Sequence, residues 1–123
     1  MSTLVAGFGR WAIALSVDNQ RLLLFDLATQ KWRQLADKMG VFGYMTWSPD
    51  SKFVGFDTSF TTDPGFFRVG IPDGRIERIV SLSKIHRFFP SWGEWSGLAP
   101  DGSPLVVRDI STQEIYALDW RLP

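Results

Sequence analysis

Residues Trp47–Val54 read WSPDSKFV, and residues Leu98–Val106 read LAPDGSPLV. In both stretches an apolar segment runs into Pro-Asp followed by Ser or Gly, and a second apolar segment follows at once. Pro fixes φ at the second position of a type I turn, Asp suits the third position, and Gly or Ser closes the turn. Both stretches therefore predict a tight reversal between two antiparallel strands.

Short apolar runs bounded by Pro, Gly, Asp and Ser recur along the whole chain and predict strands. They are Trp11–Ser16, Leu22–Leu27, Trp32–Leu35, Tyr44–Ser48, Phe53–Thr58, Phe66–Ile71, Ile76–Ser81, Trp95–Leu98, Leu105–Asp109 and Ile115–Asp119. The best helical window, Leu27–Lys38, has no sustained apolar stripe of period 3.6. The pattern predicts an all-β fold.

The spacing of the runs groups the strands into repeated units. Equivalent positions at Arg10-Trp11, Lys52-Phe53 and Pro104-Leu105 are separated by 42 and then 52 residues. A period of about 40–50 residues with four strands per unit is typical of β-propeller blades. We therefore expect a partial β-propeller of about three four-stranded antiparallel blades. Their approximate bounds are 3–36, 42–82 and 92–123, the last without its outermost strand.

These motifs resemble a known repeat. Trp47–Ser51 followed by Phe-Val-Gly-Phe is similar to the repeat of TolB-like, WD-like six-bladed propellers. Trp95–Pro123 resembles the closing blade of propellers at the C-termini of acidobacterial winged-helix regulators and serine/threonine kinases, and Trp11–Trp32 fits an earlier blade. The resemblance implies the C-terminal half of such a propeller, without the winged helix or the kinase domain. The first turn, Val5–Gly9, departs from the Ser-Pro-Asp-Gly pattern.

The composition of the chain limits the kinds of molecule that we expect it to bind. Lys plus Arg and Asp plus Glu number thirteen each, so no net field draws nucleic acid or anionic lipid to the surface. The chain has no Cys, which excludes disulfides and thiolate chemistry. Met1–Ser16 lacks a basic leader, and no apolar run reaches the ~18 residues of a membrane span. We expect no nucleic acid and no membrane as partners, and a cytoplasmic protein by default.

An arc of blades predicts self-association. Blades stack face to face, so an arc of three leaves an apolar face at each end. Exposed apolar faces of several hundred Å² are normally interaction surfaces. We expect a homodimer that closes a six-bladed ring, with a nine-bladed trimer as the next alternative. Leu4–Ala6 can complete either its own blade or the last blade of a neighbour.

The longest connection, Ser83–Gly93, is unusually apolar and predicts a binding loop. Its candidate residues, with the start of the next strand, are His86, Arg87, Phe88, Phe89, Trp92, Glu94 and Trp95. Aromatic side chains outside a core offer stacking and packing surface to a protein or a small ligand. We expect a non-catalytic binding or scaffold module that needs no cofactor and no metal.

Three sequence patterns suggest functions other than that of a binding or scaffold module, and each pattern is incomplete. Gly7-Phe8-Gly9 after an apolar run matches a dinucleotide-binding turn, with Asp26 placed as the ribose-binding acid, although no βαβ unit follows. His86, the single histidine, has no partner at metal-ligand spacing. The three glutamates are Glu77, Glu94 and Glu114, and only Glu94 lies near an inner strand, where a pair would be needed for glycosidase chemistry. A channel-sited hydrolase or lyase, and a truncated or engineered fragment without independent function, are the alternatives.

Overall fold

The computed structural model describes residues 3–89 and 95–121 and contains no helix within them, which confirms the all-β prediction. Nothing in this described part is a helix long and apolar enough to cross a membrane. Its strands are β1 Thr3–Phe8, β2 Trp11–Leu15, β3 Arg21–Asp26, β4 Lys31–Asp37, β5 Val41–Trp47, β6 Phe53–Ser59, β7 Gly65–Gly70, β8 Ile76–Ser81, β9 Ser96–Leu98 and β10 Pro104–Val106.

The strands form three antiparallel units. Sheet 1 has the order β1-β2-β3-β4, sheet 2 has the order β5-β6-β7-β8, and the third unit is the hairpin of β9 and β10. β1 pairs with β2, so Leu4–Ala6 completes its own sheet. A two-residue turn joins these strands, and Gly9 adopts φ +58° within it. The dinucleotide interpretation of Gly7–Gly9 is therefore wrong, since the turn joins two antiparallel strands and leads into no helix.

The hydrophobic core lies between sheet 1 and sheet 2. Directly opposed residues of neighbouring strands share one face, and side chains alternate along each strand. One face of each sheet supplies the buried core residues, which are Ile13, Leu15, Leu22, Leu24, Ala36, Phe42, Met45, Val54, Phe56 and Val69. Burying one large apolar side chain contributes about 1.5–3 kcal/mol. This packing holds the two complete sheets together.

Both Pro-Asp turns have the predicted local chemistry. Asp50 Oδ1 accepts a hydrogen bond from Lys52 N at 3.1 Å, and Asp101 Oδ1 accepts one from Ser103 N at 3.0 Å. Each turn contains one residue in the left-handed region, Ser51 at φ +62° and Gly102 at φ +86°. The turns reverse the chain into β6 and β10 as the sequence predicts.

The third unit is smaller than predicted. It contains two strands rather than three, because β10 ends at Val106 and the predicted strand Ile115–Asp119 is not a strand. A strand is stable only when a neighbour pairs with its peptide groups and covers a face. Ile115, Tyr116 and Leu118 are exposed instead of packed. A local pattern predicts a strand but cannot supply its non-local partner, and in this structure Ile115–Asp119 is paired with no other strand.

Candidate functional site

The connections between strands lie at two ends of the sheets, and these ends differ in chemistry. The turn edge carries residues 9–10, 27–30, 48–52, 71–75 and 99–103, and the loop edge carries 16–20, 38–40, 60–64 and 82–89. At the loop edge, Phe42 N donates to Asn19 O at 2.8 Å and Leu82 N donates to Pro64 O at 2.9 Å. The loop edge is therefore one continuous surface that spans both complete sheets.

The loop edge exposes large apolar side chains in each unit. They are Val17, Phe60, Phe88, Phe89 and Trp95. On the turn edge the exposed large apolar side chain in the described residues is Leu27. Scattered exposed apolar residues are normal, but several on one edge of a domain mark an interaction surface. The loop edge is the candidate binding surface.

Phe60 has an uncommon backbone conformation at this edge. It adopts φ +52° and leaves 86% of its surface exposed. A bulky non-glycine residue in the left-handed region is strained, and such strain concentrates at functional sites. The sequence analysis did not identify Phe60, because the backbone angle that distinguishes it depends on the completed turn between β6 and β7.

A buried ion pair lies just beneath the loop edge. Arg87 Nη2 donates to Asp57 Oδ2 at 2.6 Å, and Arg87 Nη1 donates to the carbonyl oxygen of Thr58 at 3.2 Å. Ser96 Oγ donates to the other carboxylate oxygen of Asp57. The side chains of Arg87 and Asp57 are 4% and 0% exposed. The cluster joins β6, the 82–89 loop and the start of β9.

Gly43 makes room for this cluster. A Cβ atom built on Gly43 would lie 2.6 Å from Cγ of Asp57 and would clash with both carboxylate oxygens. The carboxylate of Asp57 therefore lies directly against the backbone of β5, where only glycine fits. Each oxygen of this buried carboxylate accepts a hydrogen bond, which offsets the cost of removing its charge from water.

The structure divides the predicted binding-loop residues into three groups. His86, Phe88, Phe89 and Trp95 are exposed at the loop edge. Arg87 is buried in the ion pair, with its guanidinium 5.3 Å from the ring of Phe89. Trp92 and Glu94 lie outside the described residues. The exposed aromatic side chains of this loop, and not the guanidinium of Arg87, are therefore available to contact a partner.

The other predicted acidic candidates are engaged in local contacts. Glu77 Oε2 accepts hydrogen bonds from Arg68 at 2.8 and 3.1 Å. Glu114 accepts a hydrogen bond from the hydroxyl of Tyr116 on the exposed C-terminal segment. Within residues 3–89 and 95–121, no three of the His, Asp and Glu side chains lie together as metal ligands.

The aspartates of the two Pro-Asp turns accept hydrogen bonds from residues of their own turns. A hydrogen bond from Ser48 Oγ, with a second from Lys52 N, lowers the pKa of Asp50. Ser103 lowers the pKa of Asp101 in the same way, through its hydroxyl and its backbone N–H. Stabilising the charged form of these carboxylates keeps them ionised and makes them poor proton donors near neutral pH.

A groove of about 320 Å³ separates sheet 2 from the third unit. Phe53, Gly55, Phe66, Arg68 and Ile79 line its sheet 2 wall, and the β9–β10 turn with Leu98 lines the other. At Gly55 a Cβ atom would lie 3.3 Å from Leu98 Cδ2, so β9 approaches sheet 2 closely at this point. Farther out, over β7 and β8, the wall of sheet 2 is open.

Comparison with known proteins identifies the architecture. No family model and no curated protein matches the sequence. The crystal structure of the tricorn protease superposes with a TM-score of 0.64 at 18% identity, over 84% of this chain and 10% of that chain. The crystal structure of TolB from Acinetobacter baumannii gives a TM-score of 0.54 at 15% identity, over 81% of this chain and 25% of that one.

The fold is a TolB-like β-propeller arc. Both structural neighbours are β-propeller proteins, which confirms the resemblance inferred from the turn motifs at the level of the fold. Sheet 1 and sheet 2 are complete four-stranded propeller blades, and the β9–β10 hairpin is part of a third. The chain spans about a tenth and a quarter of the two proteins that it matches.

Proposed function

We propose that this protein is a non-catalytic binding and scaffold module whose blades self-associate into a closed ring. A homodimer with six blades is the first expected assembly, and a trimer with nine is the second. The observation that carries the proposal is an apolar face of sheet 1, directed away from sheet 2, on which no other sheet of the described chain packs.

Cross-strand pairing defines this open face. Ala12 pairs with Phe25, and Phe25 pairs with Trp32, so these residues share the face opposite Ile13 and Leu24 of the core. The ring centroids of Phe25 and Trp32 are 4.7 Å apart, and Trp32 is 44% exposed. Blades in a propeller cover such faces by stacking, which an adjacent copy can supply here.

Electrostatics do not oppose the association of two copies. The formal charge of the chain is zero, so two identical copies carry no net repulsion. Proteins with net charge near zero self-associate more readily than highly charged ones. The open apolar face is therefore free to bury its area against a second copy.

The loop edge supports the binding part of the proposal. Phe60, Phe88, Phe89 and Trp95 expose aromatic surface there, while Asp57 and Arg87 are buried beneath it and neutralise each other. Aromatic residues are enriched in protein interfaces because they bury large areas at low entropic cost. We propose a protein, or a small apolar ligand, as the partner of this edge.

Light scattering combined with small-angle X-ray scattering on the purified chain tests the assembly. The expected result at micromolar concentration is a mass of two or three chains, with a scattering profile that fits a closed ring. A compact monomer over the whole concentration range would contradict ring closure. An open or filamentous assembly would contradict it too, since a heterologous contact that does not close continues without limit.

A further inference from the structure

The outer edge of β10 has no partner strand in the described chain. Asp109 N donates to His86 O at 2.7 Å and Phe88 N donates to Val107 O at 2.9 Å, while Ser103 O accepts from Ala99 N at 2.8 Å. Successive peptide groups in an extended chain point to opposite sides, so odd-numbered residues here face β9 and the 86–88 segment. The peptide groups of Val106 and Arg108 consequently point to the unpaired edge, where they offer a donor and an acceptor pattern to a further strand.

The groove beside this edge is open where a further strand would lie. β9 packs over β5 and β6 of sheet 2, and the groove continues over Phe66 and Arg68 of β7 and Ile79 of β8. A strand added to the outer edge of β10 would extend the third unit in the same direction. It would therefore cover β7 and β8 and fill the groove.

The chain carries a strand-like segment that is unpaired. Ile115–Asp119 contains three large side chains, Ile115, Tyr116 and Leu118, and all three are largely exposed. The free energy of an apolar strand falls when it leaves water and pairs its peptide groups. Pairing with a neighbouring strand would therefore stabilise both this segment and the β10 edge.

The connection to this segment has the length that the complete sheets use. Five residues, 16–20, join β2 to β3, and five residues, 60–64, join β6 to β7. Five residues, 110–114, likewise lie between Asp109, the last residue bonded to the 86–88 segment, and Ile115. A short connection favours pairing within one chain, since loop closure costs little entropy.

We propose that Ile115–Asp119 closes onto the outer edge of β10 of its own chain, as a strap that forms the third strand of this unit and fills the groove over β7 and β8. The closed strap adds its outward side chains to the end of the arc. This part of the inference rests on the proposed function, in which the third unit at the end of the arc meets the open face of sheet 1 in the next copy.

Disulfide trapping tests the strap directly, since the natural chain has no cysteine. The double variant Arg108→Cys/Tyr116→Cys places one thiol on the free edge and one in the middle of the strap. Closure should bring the Cβ atoms within the ~4.5–5.5 Å of cross-strand neighbours, near the distance that a disulfide spans. We expect an intramolecular disulfide, read by mass spectrometry and non-reducing gels.

A matched pair, Arg108→Cys/Arg121→Cys, controls for random collisions of the exposed segment. The first pair should oxidise at least about tenfold faster than the control, because closure raises the effective concentration of its thiols. Adding Leu118→Pro, which removes an N–H that would face Val106 on the free edge of β10, should abolish that difference, whereas Gln113→Pro in the connection should not.

The outcomes separate this inference from the proposed assembly. Equal oxidation rates in a chain that light scattering shows to be dimeric would overturn the strap and leave the ring intact. A covalent dimer joined by the two cysteines would also overturn it, since the strand would then come from a second copy. A fast intramolecular disulfide in a chain that stays monomeric would support the strap and contradict the ring.

Discussion

At the scale of single residues, Arg87 shows how a loop becomes part of the core. It lies in the connection after β8, yet its guanidinium is bonded to Asp57 and to the backbone of Thr58 in β6. Ser96 at the start of β9 completes the cluster through the same carboxylate. A buried charged cluster that joins β6, the 82–89 loop and β9 fixes where the third unit lies against sheet 2.

Replacing Arg87 should therefore be costly. Arg87→Ala leaves the Asp57 carboxylate buried with one hydrogen bond, and breaking a buried pair costs about 3–5 kcal/mol. We expect a loss of this size in the free energy of unfolding, measured by urea titration. Arg10→Ala is the matched control, because it removes the pair with Asp26 at the solvent-facing turn edge, where an ion pair contributes much less than a buried one. Equal losses in the two variants would contradict a structural role for Arg87.

Asp26 predicts part of the acid sensitivity of the fold. Its hydrogen bonds with Arg10 hold the pKa of its carboxyl well below the usual range. A carboxyl whose pKa is lower in the folded state stabilises the protein above its unfolded pKa of about 3.9, and that contribution is lost as pH falls. Asp26→Asn should flatten the decline in stability below about pH 4. Thermal unfolding between neutral and acidic pH measures this slope.

Arg10→Ala is the companion variant for that titration, since it removes the hydrogen-bond donor and leaves the Asp26 carboxyl in place. Its acid branch should flatten as that of Asp26→Asn does. If both variants follow the wild type instead, the pairing of Asp26 with Arg10 does not contribute to stability in solution.

At the scale of elements, local chemistry explains which strands were predictable. β6 and β10 follow turns whose Pro, Asp and Ser or Gly residues direct the reversal, and both were predicted to within a few residues. Ile115–Asp119 has an equally good strand pattern but lacks a paired neighbour, which no local pattern contains. The contact of Arg87 with Asp57 joins residues 30 apart in sequence. Such a pair follows from the stacking of units, not from any motif.

The β6–β7 loop allows a test of stored strain. Phe60→Asn should raise the stability of the fold by about 1 kcal/mol, because Asn tolerates the left-handed region better than Phe. Differential scanning calorimetry would show this as a melting temperature higher by a few degrees, roughly 3–5 °C for a domain of this size.

Val17→Asn removes an exposed apolar side chain from the same edge, at a residue without a positive φ. We expect no gain in melting temperature from that variant. A similar gain in both variants would mean that apolar exposure, rather than backbone strain, limits stability at this edge.

At the scale of the whole molecule, the open face of sheet 1 decides whether one copy recruits another. Trp32→Lys places a charge on the exposed part of that face, on the outer strand β4, and should weaken self-association at least about tenfold, since a truncated aromatic anchor commonly costs more than 1 kcal/mol. Sedimentation velocity over a concentration series measures the dissociation constant. Val17→Lys makes the same apolar-to-charged change on the loop edge, away from the face, and should leave that constant unchanged.

The propeller-type fold was predictable from the sequence, and the arrangement of its edges was not. Repeat spacing and turn chemistry predicted propeller blades, because each blade is a local meander. The contrast between the polar turn edge and the aromatic loop edge depends on which side chains remain uncovered after stacking. Arg87, expected at the surface, is buried, whereas Phe60, not singled out, is exposed.

The unequal attachment of the three units determines the order in which the protein comes apart. Sheet 1 and sheet 2 share a core cluster of ten buried apolar residues that includes no residue of β9 or β10, whereas the hairpin meets sheet 2 through one charged cluster and the contact of Leu98 beside Gly55 and Phe66. Regions with few buried apolar contacts open at lower free energy than the global transition. Backbone amides of β9 and β10 should therefore exchange with deuterium through a local opening of lower free energy. Amides of β2 and β6 should exchange only through complete unfolding. The β9–β10 hairpin should therefore separate from sheet 2 while sheets 1 and 2 remain folded together.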